Sequence, residues 1–532
     1  MNEVGRIIGT TSLKKYLFAI TKEGEVSVRK DEFVSAIEPV TGREVIGMIR
    51  EVTASNQLLP DEFARESAMG EFVSNYGIED GEFLVGIVDI LGHLDGNLLE
   101  LPKYSLRPAT PVLMTRDDTI SGLLTVQEDR ALHIGTVEAR PNVNVPIDIN
   151  KLVGMHCAIL AMTGAGKSYT GGVLIEQLLR KGGAIIVFDP HGEYKYLGYK
   201  NDGEKSELYD NVLVLGVGKS AEKKLRMKAS RLSAEDITAM SAGTTDTQRD
   251  MLYEIIDICS AKKHGYNLKD LVEVLQMVLE KKGGEDNGEE LINGIDGRVA
   301  KLAKKSHAST TTALIRRLEG LQRSGLISEN ETPLSELVRP GQATVIDLSG
   351  TPESIKETVV SALARKIFYA RINHVNDFGD EKLDVPCLMV LEEAHNFVPR
   401  EFEKEIVSRS ILRRIAREGR KFGVGLCLIS QRPSRLDQDV LSQCNTQIIM
   451  RIVNPLDQDF IRKSAEAVTE DVIKDLPGLN RGEAIITGAA INFPMHVKIR
   501  ARGTKPGGGD IDIIGEWKRL RIEGEKQSKI SS

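Results

Sequence analysis

A parallel α/β core behind a small N-terminal β-barrel is the fold class that this 532-residue sequence predicts. Three observations carry it. Roughly the first quarter is a series of short β-rich runs punctuated by glycine, asparagine and aspartate, the pattern of a small barrel. From about Ile149 the rhythm changes to strand, helix, strand, the signature of a parallel α/β sheet. At the first turn of that rhythm stands "CAILAMTGAGKSYTGG", Cys157 to Gly172, which nearly spells the phosphate-binding loop G-x-x-x-x-G-K-[ST].

Taken in order, the barrel strands are "RIIGTT", "YLFAIT", "GREVIGMIREV", "FLVGIVDIL" and "NLLEL". The βαβ unit follows. Between Lys219 and Ile327 helical periodicity dominates. "LSAEDITAM" opens on a Ser233 N-cap followed by acids, and "LKDLVEVLQMVLEKKG" repeats apolar residues at helical spacing before a glycine stop. We expect a helical insertion there. Strands return with "ATVIDLSG", "CLMVLEE", "GVGLCLISQ", "QIIMRIV", "GEAIITG" and "MHVKIR". Loops are expected at "KKGGEDNGEE", "NDFGDEKLD" and "GTKPGGGD". The expected organisation is a barrel over residues 1–135, an ATPase-type domain over 136–505 with its helical insertion at about 219–330, and a polar tail over 506–532. There is no internal repeat.

Composition excludes several classes. Hydrophobic residues make up 41% and charged residues 28%, an ordinary globular mixture rather than a disordered one. The five cysteines (Cys157, Cys259, Cys387, Cys427 and Cys444) are scattered with no C-x-x-C pair, and three sit in apolar runs. That favours reduced core thiols over disulfides or zinc. Residues 1–30 carry charges throughout with no apolar signal core, and no uncharged run is long enough to span a bilayer. We therefore expect a cytoplasmic protein with no membrane partner. The net charge of −7 neither advertises nor excludes nucleic acid, because a local basic patch decides that.

In the loop itself, Gly164 and Gly166 permit close backbone approach, Lys167 can reach the β and γ phosphates, and Ser168 can ligate magnesium. The place of the first glycine is held by Ala161. Alanine serves there only if its φ is negative, so negative φ is expected.

A nucleotide hydrolase also needs acids at the end of a neighbouring strand. "CLMVLEEAHNF" supplies Glu392 and Glu393. In phosphate-loop ATPases with a second catalytic acid, the first faces magnesium and the next polarises the attacking water. The first is usually aspartate, so Glu392 is a departure. The following strand, "GLCLISQRP", ends in Gln431, placed to sense the γ-phosphate. Asp189, His191 and Glu193 in "VFDPHGEY" fit either catalysis or simple loop structure. "SRSILRRIAREGRKFG" puts four arginines and a lysine within nine residues, with Arg413 and Arg417 four apart on one helix face. That is either a solvated basic face or the seat of an arginine finger, Arg417 or a neighbour, acting on an adjacent subunit's phosphate.

Together, "AMTGAGKS", "VFDPHGEY", "VLEEAHNFVP", "AREGRKFGVGLCLISQRPS" and "LSQCNTQIIMRI" resemble the HerA family of archaeal DNA translocases and helicases, which belongs with FtsK-type motors. The resemblance spans nearly the whole chain. It implies a RecA-like P-loop NTPase core with a helical insertion, ATP and Mg2+ as nucleotide and metal, and a homo-hexamer around duplex DNA. It also implies NurA as partner nuclease in double-strand break end resection. Carried over by position, Thr163, Gly164, Ala165, Gly166, Lys167, Ser168 and Tyr169 contact the nucleotide, and Ser168 and Glu392 the metal. Glu392 and Glu393 form the acidic motif, Gln431 is the sensor and Arg417 the finger. The tail after Gly509 resembles a segment that can lie over a neighbouring subunit's nucleotide. Two alternatives stay open: a DNA packaging or conjugative pump, and a nucleotide-dependent scaffold. DNA-stimulated turnover separates the scaffold from the translocase.

Overall fold

The computed structural model describes residues 2–56, 82–96, 98–217, 221–241, 244–260, 265–283, 295–400, 406–464, 468–508 and 512–530. The loop expected at 281–290 lies mostly outside the described residues, as does the end of the "GTKPGGGD" linker.

Seven strands come first: β1 (Glu3–Ile8), β2 (Lys15–Ile20), β3 (Phe33–Ile37), β4 (Glu44–Asn56), β5 (Glu82–Asp95), β6 (Leu98–Glu100) and β7 (Pro111–Met114). They neighbour one another in the order β2-β1-β7-β3-β4-β5-β6, and β2 also pairs antiparallel with β5. That last pairing closes all but β6 into a barrel, which removes the exposed edges an open sheet would present. Alternation does the rest. In β2 it turns Tyr16, Phe18 and Ile20 inward, onto a core shared with Val34, Val45 and Val88. The sequence reading missed β3 and β7. β3 is short and buried at four of its five positions, so it shows no alternation, and β7 opens on a proline that reads as a break.

The remaining strands are β8 (Ala131–Val137), β9 (Asn144–Asp148), β10 (Cys157–Leu160), β11 (Ile185–Asp189), β12 (Val212–Gly216), β13 (Ala343–Asp347), β14 (Cys387–Leu391), β15 (Val424–Ser430), β16 (Thr446–Ile449), β17 (Glu483–Gly488) and β18 (Met495–Ile499). The helices used below are α1 (Lys167–Arg180), α2 (Ala234–Met240), α3 (Asp246–Ser260), α4 (Leu268–Gly283), α5 (Ile295–Lys305), α6 (Ala308–Ser324), α7 (Glu353–Val375), α8 (Val407–Phe422) and α9 (Ile513–Ile530). No helix among the described residues is long and apolar enough to cross a membrane.

Contacts divide the chain into two units: Met1–Thr170 with Ser430–Ala501, and Gly171–Ile429 with Arg502–Ser532. In the first unit, besides the barrel, β10 pairs parallel with β16, and β17, β18, β8 and β9 continue antiparallel. The domain boundary expected at residue 135 falls inside β8, whose Gly135, Thr136 and Val137 pair with β18. A partner so distant along the chain leaves no local sign. In the second unit the order is β12-β13-β11-β14-β15, all parallel. β11, β14 and β15 are buried along their whole length, which explains their unbroken apolar sequences.

The helical insertion lies between β12 and β13 as α2 to α6. Ser233 caps α2 in a reciprocal box with Asp236, and the buried Asp236 carboxylate also receives Arg365 at 2.8 Å. All five cysteines are buried thiols outside any disulfide. Burial pushes the Cys387 thiol up to about 12, too high for thiolate chemistry.

One ion cluster ties the loop before β3 to the antiparallel strands of the same unit. His496 in β18 places Nδ1 3.1 Å from Asp31 and Nε2 3.4 Å from Glu483, which also faces Lys498 at 3.6 Å. Burial by itself would lower the imidazole pKa. The hydrogen bond to Asp31 and the charges of Asp31, Glu483 and Glu138 outweigh it and hold the value above its ordinary 6.5. A raised folded value means stabilisation that is complete below the unfolded value and lost as pH rises through the folded one. We predict that the denaturation midpoint falls as pH rises above neutrality, and that His496→Gln flattens this dependence. A wild-type midpoint indifferent to pH in that range would contradict the cluster's role.

Candidate active site

The phosphate-loop residues belong to the first unit. Where the chain leaves β10, Ala161 N–H donates to the Ser430 carbonyl at 3.2 Å and Met162 N–H to the Arg451 carbonyl at 2.9 Å. The loop is thus held at its entry by backbone alone. Ala161 is fully buried and is absent from the described non-glycine residues with positive φ, which are Asp31, Ala109, His156, Asp377 and Glu393. No left-handed turn is needed at this position, and alanine fills it as expected.

Further on, Gly164 and Gly166 have φ of +82° and +107°. A Cβ on Gly164 would meet nothing within 4 Å, and one on Gly166 would touch Met450 Cε at an ordinary 3.4 Å. Backbone conformation, rather than crowding, is what requires glycine; another residue would be strained by about 1–2 kcal/mol. Gly482 N–H donates to the Ala165 carbonyl at 3.3 Å and steadies the loop's far side. α1 then begins at Lys167 with no acid in its first turn. The N-terminus of a helix, with its positive dipole end, can receive an anion. The cradle fits a phosphate chain: alternating backbone torsions, a helix N-terminus, a half-buried lysine and a half-buried hydroxyl at Ser168. The exposed Thr163 donates its hydroxyl to Gln431 Oε1, so the structure joins two of the predicted site residues. Tyr169 is exposed at the start of α1.

Glu392 and Glu393 belong to the second unit and follow β14. Glu392 is wholly buried, and Tyr194 donates its hydroxyl to Glu392 Oε2 at 2.8 Å. Glu393 is 3% exposed, and its backbone is left-handed at φ 50° and ψ 49°, opening the short turn Ala394–Asn396. A glutamate held there costs about 1–3 kcal/mol, strain of the sort found where a side chain must be re-aimed for function. His395 Nδ1 lies 3.3 Å from Glu393 Oε2.

Asp189 ends β11 and has a structural task. Its Oδ1 accepts N–H from His191, Gly192 and Glu193 at 3.2, 2.9 and 3.1 Å, and its Oδ2 accepts from Tyr194 at 2.8 Å. Burial pushes this carboxyl up to about 6; the N–H donors pull against that, and the nearby charge of Glu392 adds to it. The turn "DPHGEY" is wound around one carboxylate, and its last residue reaches Glu392.

Arg417 lies on α8, whose Ile411, Leu412, Ile415, Ala416 and Gly419 are buried. Arg413 is half-buried, and Arg414, Arg417, Arg420 and Lys421 are exposed. Arg414 is used locally: it donates to Tyr369 Oη at 2.7 Å and lies over the Tyr369 ring at 5.3 Å. Sequence reasoning missed Tyr194 and His395. One signal could have found Tyr194: the adjacent glycines Gly171 and Gly172 inside a helix, which imply that something bulky approaches it closely.

The turn makes a prediction. Asp189→Asn keeps the size but replaces one acceptor oxygen by a donor amide, leaving a buried N–H without an acceptor at a cost of about 1–3 kcal/mol. The denaturation midpoint should fall accordingly, and more than for Glu193→Gln. Equal effects of the two changes would show that the turn does not depend on Asp189.

Residues 4–96 match the model of the HAS barrel domain, and residues 132–367 match that of the central domain of helicase HerA. The DNA double-strand break repair helicase HerA of Pyrococcus furiosus is 31% identical, over 97% of this chain and 97% of its own. The probable DNA double-strand break repair helicase HerA of Methanocaldococcus jannaschii is also 31% identical, over 97% and 99%. Among solved structures, VirB4 of Thermoanaerobacter pseudethanolicus aligns with a TM-score of 0.46 at 17% identity, over 71% of this chain and 98% of that one. At that identity to curated relatives, end to end through barrel and α/β core alike, the chain belongs to the HerA family.

Proposed function

We propose that this chain is an ATP-driven translocase and helicase acting on duplex DNA as a homo-hexameric ring. Its place is double-strand break end resection in the cytoplasm, together with the nuclease NurA. The observation that carries the reading is the phosphate loop, with Gly164 and Gly166 in left-handed backbone ahead of a helix that begins at Lys167. Relatives aligned along nearly the whole chain are named as double-strand break repair helicases, which supports DNA as the substrate.

Lys167 places its charge on the β and γ phosphates. Ser168 and Glu392 hold Mg2+, which when bound neutralises phosphate charge. Glu393 takes the proton of the attacking water. Gln431, held by Thr163, registers whether the γ-phosphate is present. Arg417 reaches the site of the next subunit, so that hydrolysis is coupled to the ring.

The direct test is ATP turnover with and without linear duplex DNA, beside native mass measurement of ring size. Stimulation by DNA in a hexamer is expected; a ring whose turnover ignores DNA is a scaffold or switch. Lys167→Ala should abolish hydrolysis in a folded protein. Glu393→Gln should keep ATP binding and lose hydrolysis, because the amide preserves shape but cannot accept the proton. If Glu392→Gln alone trapped ATP in that way, the two acids would have the opposite roles.

Arg417→Ala should lower turnover on the order of a thousandfold or more, with much less change in ATP affinity. Mixing Arg417→Ala with Lys167→Ala subunits should restore some activity, at interfaces joining an intact loop to an intact arginine. No recovery, in rings shown by native mass to be mixed, would move the finger to Arg413, Arg414 or Arg420 or require every site in the ring to be intact.

A further inference from the structure

We propose that Tyr194 is a positioning residue for Glu392, seated by Gly171, Gly172 and Arg502 so that its hydroxyl fixes the orientation of the Glu392 carboxylate. The inference rests on the reading above that Glu392 belongs to the hydrolytic site.

Three independent features converge on this tyrosine. The first is the hydrogen bond from its fully buried hydroxyl to Glu392 Oε2 at 2.8 Å. A donor on a buried carboxylate makes a charge-assisted bond, and it fixes the direction of the oxygen it holds.

The second feature lies in α1. Glycine inside a helix costs about 1 kcal/mol relative to alanine, yet this helix has two in succession. A Cβ on Gly171 would lie 2.5 Å from Tyr194 Oη and 2.8 Å from Ile429 Cδ1. A Cβ on Gly172 would lie 2.5 Å from Arg502 Cζ and Nε. Each glycine makes room for one member of the Tyr194–Arg502 pair.

The third is the chain segment after β18. The buried Arg502 guanidinium lies 5.9 Å from the centre of the Tyr194 ring. Its Nε donates to Thr504 Oγ1 at 3.0 Å, its Nη2 to the Lys505 carbonyl at 3.2 Å, and it faces Glu176 of α1 at 3.9 Å. Glu176 in turn accepts the N–H of Gly503 and Thr504 at 3.1 and 2.8 Å and the Thr504 hydroxyl at 2.6 Å. Residues 502–504 are therefore bound to α1, Arg502 lies over the ring, and Asp189 accepts the tyrosine backbone N–H. A residue carried by so many fixed groups is rigid, and it passes that rigidity to a single carboxylate oxygen.

The test is Tyr194→Phe, which keeps the ring against Arg502 and removes only the oxygen. We expect kcat to fall about tenfold, the size of a lost bond to a charged group. The KM for ATP should stay within about twofold, and the magnesium concentration for half-activation should rise several-fold. Calorimetric titration with ADP gives a readout free of turnover. Affinity without magnesium should match wild type, and the gain on adding magnesium should shrink. Where Glu392 is already Gln, adding Tyr194→Phe should cost nothing more. Gly171→Ala, which drives a methyl into the hydroxyl, should reproduce the magnesium effect. Unchanged kcat and magnesium dependence in a folded Tyr194→Phe protein overturns the proposal, as does a further loss in the Glu392→Gln background. Full hydrolysis by Glu392→Gln alone refutes the underlying placement of Glu392 instead.

Discussion

Asp189 draws four backbone N–H groups onto one buried carboxylate, and the turn beside Glu392 is built outward from that point. The turn it winds ends at Tyr194, whose ring is held by Arg502 and whose hydroxyl reaches Glu392. A buried carboxylate is costly to charge, and the rise of this one to about 6 shows that the N–H donors do not fully offset its desolvation. The arrangement therefore exchanges stability for a fixed turn beside the buried Glu392.

The phosphate loop solves its positional problem differently, with backbone rather than side chains. Its entry is held by carbonyls of Ser430 and Arg451, and its curvature comes from two left-handed glycines. Ala161 can replace a glycine because the entry lies in ordinary backbone space, where a methyl costs little. Glu393 is the contrasting case: a left-handed residue that is not glycine. It directly follows a wholly buried strand, and its carboxylate is the group that the proposed hydrolysis uses.

Outside the site, closure organises the N-terminal part. The β2–β5 pairing turns a seven-stranded sheet into a barrel with most of its edges joined. Its loop before β3 is tied to β18 through His496, with Asp31 and Glu483 on either side. β8 belongs with that antiparallel edge, not with the barrel. Each of these links joins residues far apart in the chain.

That distance marks the limit of what can be read along the chain. Elements with a local signature were legible: the strands of the βαβ unit, the Ser233 N-cap, the glycine-lysine turn of the phosphate loop and the acids after "CLMVL". Each follows from torsional preference or apolar periodicity within a dozen residues. The HerA resemblance was legible because several such stretches occur in one order. β3 and β7 were not, because one is buried on both faces and the other opens on proline, and only their partners make them strands. Asp189 could be read as catalytic or structural until its four donors were seen. Tyr194 and Arg502 left only an indirect trace, a pair of helical glycines whose purpose is a clash avoided. Close approach between distant segments is a property of packed volume, and a linear pattern encodes it only as the absence of a side chain.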